Sequence, residues 1–173
     1  MIAGIDLDSN GVHIVRLSLD DNTATYNRIR VNNVKGDVHE RARRLRDLMP
    51  APGAWKDHGI IRFAIELPMT APGHGGFQSA VPQAVLRGAL LACLPTDIPV
   101  DILTAHEWKK WSLGDGTPGQ GNAKKPAIRE WAERHWPNVP EHVTQDAYDA
   151  YCVAWASRNM HDPVTDARRR KAA

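Results

Sequence analysis

The chain has 173 residues, 42% of them hydrophobic and 24% charged, and a formal net charge of +2. That length suits one domain with a core of its own, and the hydrophobic share excludes a disordered chain. No apolar run approaches the ~20 residues that span a bilayer. The first residues lack the basic and apolar stretches of a signal peptide, so the cytoplasm is the expected compartment. Cys93 and Cys152 stand singly in apolar helical contexts. With no C-x-x-C pair they argue against structural zinc and for buried thiols.

Residues 2–7 read as a buried strand. Residues 11–18 alternate apolar and polar, as a half-exposed strand does. Asp8, Ser9, Asn10 and Gly11 between them are turn chemistry, and Asn10-Gly11 is a strong hairpin signal. A second turn at Asp20, Asp21 and Asn22 leads to a strand over 24–31. The chain therefore opens with a three-strand antiparallel meander. A helix is expected over 37–49, stopped by Pro50, Pro52 and Gly53. Residues 60–66 read as a buried strand, followed by a Gly/Pro-rich loop through Gly76. The apolar helix over 79–94 has little polar surface, so it is buried on several sides or meets another copy. Residues 99–103 form a short strand, and Thr104 with Glu107 makes a capping box that opens the next helix. A Gly-rich loop over 114–122, a helix over 123–135 and a helix over 145–160 complete the chain. A meander followed by alternating helices and strands is α/β with a mixed sheet.

Four carboxylates stand out. Asp6 ends the apolar run from Ile2 to Ile5, and Glu66 ends Phe63-Ala64-Ile65. Ends of buried strands are where α/β folds bind ligands. Asp6 alone is equally well read as a turn or cap residue; Glu caps poorly, so Glu66 points to a site. Asp146 and Asp149 share one helical face at i and i+3. Compensation of the helix dipole explains Asp146 well and the deeper Asp149 less well. Brought together, the four would repel and resist burial unless a cation held them. Hard oxygen donors favour Mg²⁺ or Mn²⁺ over zinc. Asp8 is a weaker candidate that more naturally begins the turn.

Basic residues cluster at Arg41, Arg43, Arg44 and Arg46, at Lys109, Lys110, Lys124 and Lys125, and in the tail at Arg168, Arg169, Arg170 and Lys171. Such clusters suit a phosphate backbone. The first and last read more simply as a solvated helix face and a frayed tail.

With these residues in place, the chain resembles the RuvC family of Holliday-junction resolvases, within the retroviral-integrase/ribonuclease-H superfamily. Ile5-Asp6 with Ser9 is similar to the family's opening strand, Gly-Ile-Asp-Pro-Gly-Ser, and Ile65-Glu66 to its second acidic strand end. Leu86-Arg87-Gly88-Ala89 resembles its Ala-Arg-Gly-Ala helix. Gly121 to Ile128 resembles its Gly-x-Ala-x-Lys-x-x-Val segment, and Gln145 to Ala150 its Asp-Ala-Ala-Asp-Ala helix. The resemblance implies a ribonuclease-H-like five-stranded sheet flanked by helices over 1–162, with 163–173 a basic tail. It implies a metal quartet of Asp6, Glu66, Asp146 and Asp149, with Asp6 bridging two Mg²⁺ ions that Mn²⁺ can replace. Lys125 matches the family's basic residue near the scissile phosphate, and Lys109 or Lys110 an earlier one, with Lys124 a further DNA contact. The implied activity is metal-dependent resolution of four-way junctions or other branched DNA by paired nicks. The implied assembly is a homodimer through the helix at 79–94.

Two departures are visible. Leu7-Asp8 replaces Pro-Gly, which adds a carboxylate near the site. Met69 stands where the family often has an aromatic that stacks on bases, and Phe77 is the available substitute. These departures and the basic tail would fit a divergent or bacteriophage member. Rival readings are another nuclease of the superfamily, acting on an RNA–DNA hybrid or a flap, and a DNA-binding relative without catalysis. An actin-like or sugar-kinase ATPase needs a longer chain and a second phosphate loop.

Overall fold

The computed structural model describes residues 1–8, 10–31, 37–67, 76–114 and 123–162, with the backbone alone for 76–80. β1 (Ile2–Asp8), β2 (Gly11–Leu17) and β3 (Ala24–Arg30) form the expected antiparallel meander. The remaining elements follow in the order α1 (Val38–Leu48), α2 (Pro52–Asp57), β4 (Arg62–Leu67), α3 (Gly76–Cys93) and β5 (Val100–Thr104). The chain continues with α4 (Ala105–Gly114), α5 (Lys125–His135) and α6 (Gln145–His161). β4 pairs parallel to β1, and β5 parallel to β4, so the described strands make one five-stranded mixed sheet ordered β3-β2-β1-β4-β5. The mixed sheet flanked by helices is the fold class expected from the sequence.

β1 is the central strand and is covered on both faces, which explains why it is almost continuously apolar. Ala3 and Ile5 face a cluster with Leu45, Trp55, Leu86 and Leu90 from α1, α2 and α3. Ile2 faces the other cluster, where α4, α5 and α6 contribute Trp108, Trp131, Tyr151 and Ala154. Gly4 lies on this second face. A Cβ there would sit 2.1 Å from the Ala150 carbonyl oxygen and 2.7 Å from the Ala154 Cβ, so α6 rests on β1 backbone to backbone. The small residues Ala150 and Ala154 are the helix side of this contact, and both are fully buried.

Local chemistry sets several boundaries. The capping box forms as expected: the Thr104 amide donates to Glu107 at 2.8 Å, and the Glu107 amide to the Thr104 hydroxyl at 3.2 Å. Asp37 caps α1 by accepting the His39 and Glu40 amides at 3.0 Å. The reading of Pro50, Pro52 and Gly53 as breakers alone needs correction. α1 does end before them, but Pro52 opens α2, where its missing N–H is not needed. α2 delivers Trp55 to the core, edge-on to Phe63 with ring centres 5.2 Å apart. Cys152 is buried as expected, whereas Cys93 is only partly buried.

α3 begins earlier than expected and runs through Pro82. Leu86 and Leu90 are buried beneath it, while Val81, Ala84, Gly88 and Ala92 lie on its exposed side. Among the described residues no helix is long and apolar enough to cross a membrane.

Candidate active site

The ends of β1 and β4 and the first turns of α6 converge. β1 and β4 pair in parallel with Gly4 opposite Ala64, so two residues later Asp6 and Glu66 leave adjacent strands on one face. α6 crosses that face at the closest spacing the Gly4 backbone allows, and it carries Asp146 and Asp149. Carboxylate oxygens of Asp6, Asp146 and Asp149 lie within 4.8 Å of one another. Glu66 joins them in an open cleft of about 450 Å³ that is also lined by Asp8, Lys109 and Lys125.

The electrostatics follow from that crowding. Asp6 is only 9% exposed. Burial, then the charges of Glu66, Asp149, Asp146 and Asp8, raise its proton affinity well above the carboxylate norm. Burial and Asp149 push Glu66 up to about 7. Lys109 pulls Glu66 the other way, as does Trp108, whose buried indole N–H has no hydrogen-bond partner of good geometry among the described residues. Asp149 is also raised, chiefly by burial; a hydrogen bond from the Gln145 amide at 2.9 Å and the charges of Lys125 and Lys109 partly offset this. Five carboxylates therefore share a cleft with two ammonium groups. The donors are all hard oxygens at spacing that one or two small divalent cations can bridge, so the residues present fit Mg²⁺ or Mn²⁺.

Of the residues singled out from the sequence, Asp6, Glu66, Asp146, Asp149 and Lys125 line this one cleft. Between the two lysines left open, Lys109 reaches it, with its Nζ 5.4 Å from the centre of the Trp108 ring. Lys110 is half-buried on α4 away from the lining, and Lys124 is the exposed N-cap of α5. Met69, the side chain of Phe77, most of both Gly-rich loops and the basic tail lie outside the described residues.

Asp8, the weaker candidate, is the turn residue it was read as: its Oδ1 accepts the Asn10 amide at 2.5 Å. Its other oxygen also faces the site, 3.5 Å from an Arg28 guanidinium nitrogen. Gln83 of α3 lines the cleft as well. His13 was not anticipated at all. It is fully buried, with its Nε2 3.4 Å from Asp8 Oδ2 and 3.5 Å from Asp146 Oδ2. Burial lowers its basicity more than those two carboxylates raise it. The signal was present in the turn: a two-residue connection between Asp8 and Gly11 sets Asp6 opposite His13.

No family model and no curated protein matches the sequence. Solved structures do match the fold. Thermus thermophilus RuvC in complex with Holliday junction substrate superposes with a TM-score of 0.70 at 16% identity, over 95% of this chain and 96% of that one. A second Thermus thermophilus RuvC structure gives 0.61 at 14% identity, over 91% and 93%. The chain is thus similar in architecture, nearly end to end, to Thermus thermophilus RuvC.

Proposed function

We propose that the protein is a metal-dependent endonuclease that resolves four-way DNA junctions by paired nicks. The observation that carries this reading is the convergence of Asp6, Glu66, Asp146 and Asp149 with Lys109 and Lys125 at one cleft of a RuvC-like fold. The neighbour with the higher TM-score was solved with a Holliday junction substrate, which supports branched DNA as the ligand.

Asp6, Glu66, Asp146 and Asp149 would hold the cations, two per site and Mg²⁺ by preference, with Asp6 central because the charges of all three of the others act on it. Divalent cations there supply Lewis acidity toward water and phosphate and neutralise developing charge. Gln145 holds one oxygen of Asp149 by its amide and so fixes how that carboxylate presents itself. Lys125, at the start of α5, and Lys109, on α4, supply positive charge to the cleft. Positive charge so placed stabilises an anionic phosphoryl group more as its charge grows. The acids must be ionised to bind a cation, so loading the site competes with protons, for which Asp6, Glu66 and Asp149 all have raised affinity. A second copy would give the paired cut, and the exposed row Val81, Ala84, Gly88 and Ala92 on α3 is the surface proposed for it.

The test incubates the protein and Asp6→Asn with a labelled four-way junction, a linear duplex and an RNA–DNA hybrid, with and without Mg²⁺. Symmetric nicks in the junction alone, requiring Mg²⁺ and Asp6, are expected. Preferential cutting of the hybrid would instead make it an RNA-directed nuclease, and equal binding with no cutting of any substrate a non-catalytic relative.

A further inference from the structure

His13 sits directly behind the acidic cleft without entering it. It is fully buried, and the cleft walls in front of it are Asp8 and Asp146. One edge of its ring is fixed by hydroxyls: Nδ1 is 2.9 Å from the Tyr26 hydroxyl and 3.4 Å from Thr144 Oγ1. The other edge faces acids, with Nε2 at 3.4 Å from Asp8 Oδ2 and 3.5 Å from Asp146 Oδ2. In the tautomer that places the ring proton on Nε2, the imidazole donates to Asp8 Oδ2. The same nitrogen thus bonds a carboxylate at the end of β1 and stands beside one in the first turn of α6. The Tyr26 ring lies nearly parallel to the imidazole, at 17° and 6.0 Å between centres, and further limits its rotation. The Arg28 guanidinium, 3.5 Å from Asp8, and the Asn10 amide also face Asp8.

We infer that His13 is a positioning residue of the proposed metal centre: it holds Asp8 and Asp146 in place from behind, and is itself aimed by Tyr26 and Thr144. The inference rests on the metal reading given above and adds to it a residue on β2. Neighbouring carboxylates repel when both are charged, and a donor placed between them offsets that repulsion. Outer groups that orient metal-binding side chains typically govern affinity by about 10–100-fold. His13→Leu keeps the bulk and removes the donor; His13→Gln keeps an N–H able to reach the same oxygens.

The experiment is a Mn²⁺ titration of the whole protein, followed by the electron paramagnetic resonance signal of free Mn²⁺, with far-ultraviolet circular dichroism to check folding. His13→Leu is expected to bind Mn²⁺ at least about tenfold more weakly than wild type, and His13→Gln to stay within about threefold. Tyr26→Phe, which removes only the hydroxyl that aims the ring, should give a smaller loss, and it decides the matter if His13→Leu does not fold. Wild-type affinity in folded His13→Leu, or failing that in Tyr26→Phe, overturns the inference and leaves the metal site standing. Nitrogen coupling to bound Mn²⁺ that vanishes in His13→Gln would make His13 a direct ligand and overturn the positioning role. Absence of Mn²⁺ binding in wild type would remove the metal reading itself.

Discussion

The sheet carries largely buried acid at two opposite ends, and the two are treated differently. Near the start of β5, Asp101 accepts the Ser157 hydroxyl at 2.6 Å, Arg62 at 3.2 Å and His161 at 3.0 Å. Each partner comes from α6 or from β4, so the carboxylate ties the far end of α6 to the sheet. At the other end of the same helix, Asp146 and Asp149 meet Asp6 and Glu66, with His13 beside one and the Gln145 amide on the other. Asp101 is matched by the chain's own cation and donors; the cleft gathers five carboxylates against two lysines, an excess that the proposed cations would meet. Burial of charge is common to both, and partnership is what separates a structural carboxylate from a functional one.

The contrast is broken most sharply by Asp6→Asn. Cleavage of a labelled junction should fall by about 1,000-fold or more, while junction binding in a gel-shift assay changes little. Near-normal nicking would put Asp6 outside the chemistry. Protonation offers the next largest effect. Glu66 has its affinity for a proton raised to about 7 in the folded protein, against 4.5 unfolded. The folded state therefore keeps a proton that the unfolded state has lost. Its contribution is complete below about pH 4.5 and disappears as pH rises to about 7, a loss of about 3 kcal/mol in the metal-free protein. Urea unfolding across that range checks it, and saturating Mg²⁺ should flatten the slope. Asp101→Asn should do the reverse of the Asp6 change: stability falls by about 2–3 kcal/mol through the Arg62 and His161 contacts, with Mn²⁺ affinity unaltered. The smallest effect is expected for Lys125→Ala, a slowing of about 10–100-fold in single-turnover cleavage with binding nearly intact. Equal losses in both would make Lys125 a DNA anchor only.

The acidic quartet was legible in the sequence because strand ends and helix spacing translate directly into direction. Asp6 and Glu66 close apolar runs, and Asp146 and Asp149 differ by three on a helix. The meander and its turns were legible for the same reason. What was not legible depends on partners across space. His13 sits in a strand whose alternation also suits a solvent-facing residue, and only its register opposite Asp6 shows that it faces α6. Asp101 carries no motif; its role depends on Arg62, Ser157 and His161, which lie far away in the chain. α2 escaped because proline and glycine break helices in the interior yet begin them comfortably, and local composition does not say which. Lys109 and Lys110 are neighbours whose directions differ by about 100° around α4, a choice set by how that helix packs and not by the lysines.

The missing side chain at Gly4 reaches further than its size suggests. A methyl group there would collide with the α6 backbone, 2.1 Å from one oxygen and 2.6 Å from one nitrogen. Any bulk at this point would act as a spacer, lifting the helix that bears Asp146 and Asp149 off the strand that bears Asp6. A survey of tolerated substitutions would accordingly mark Gly4 as no less restricted than the acids, although it has no functional group with which to touch a substrate. The gauge of the cleft is set by a hydrogen atom two residues upstream of it.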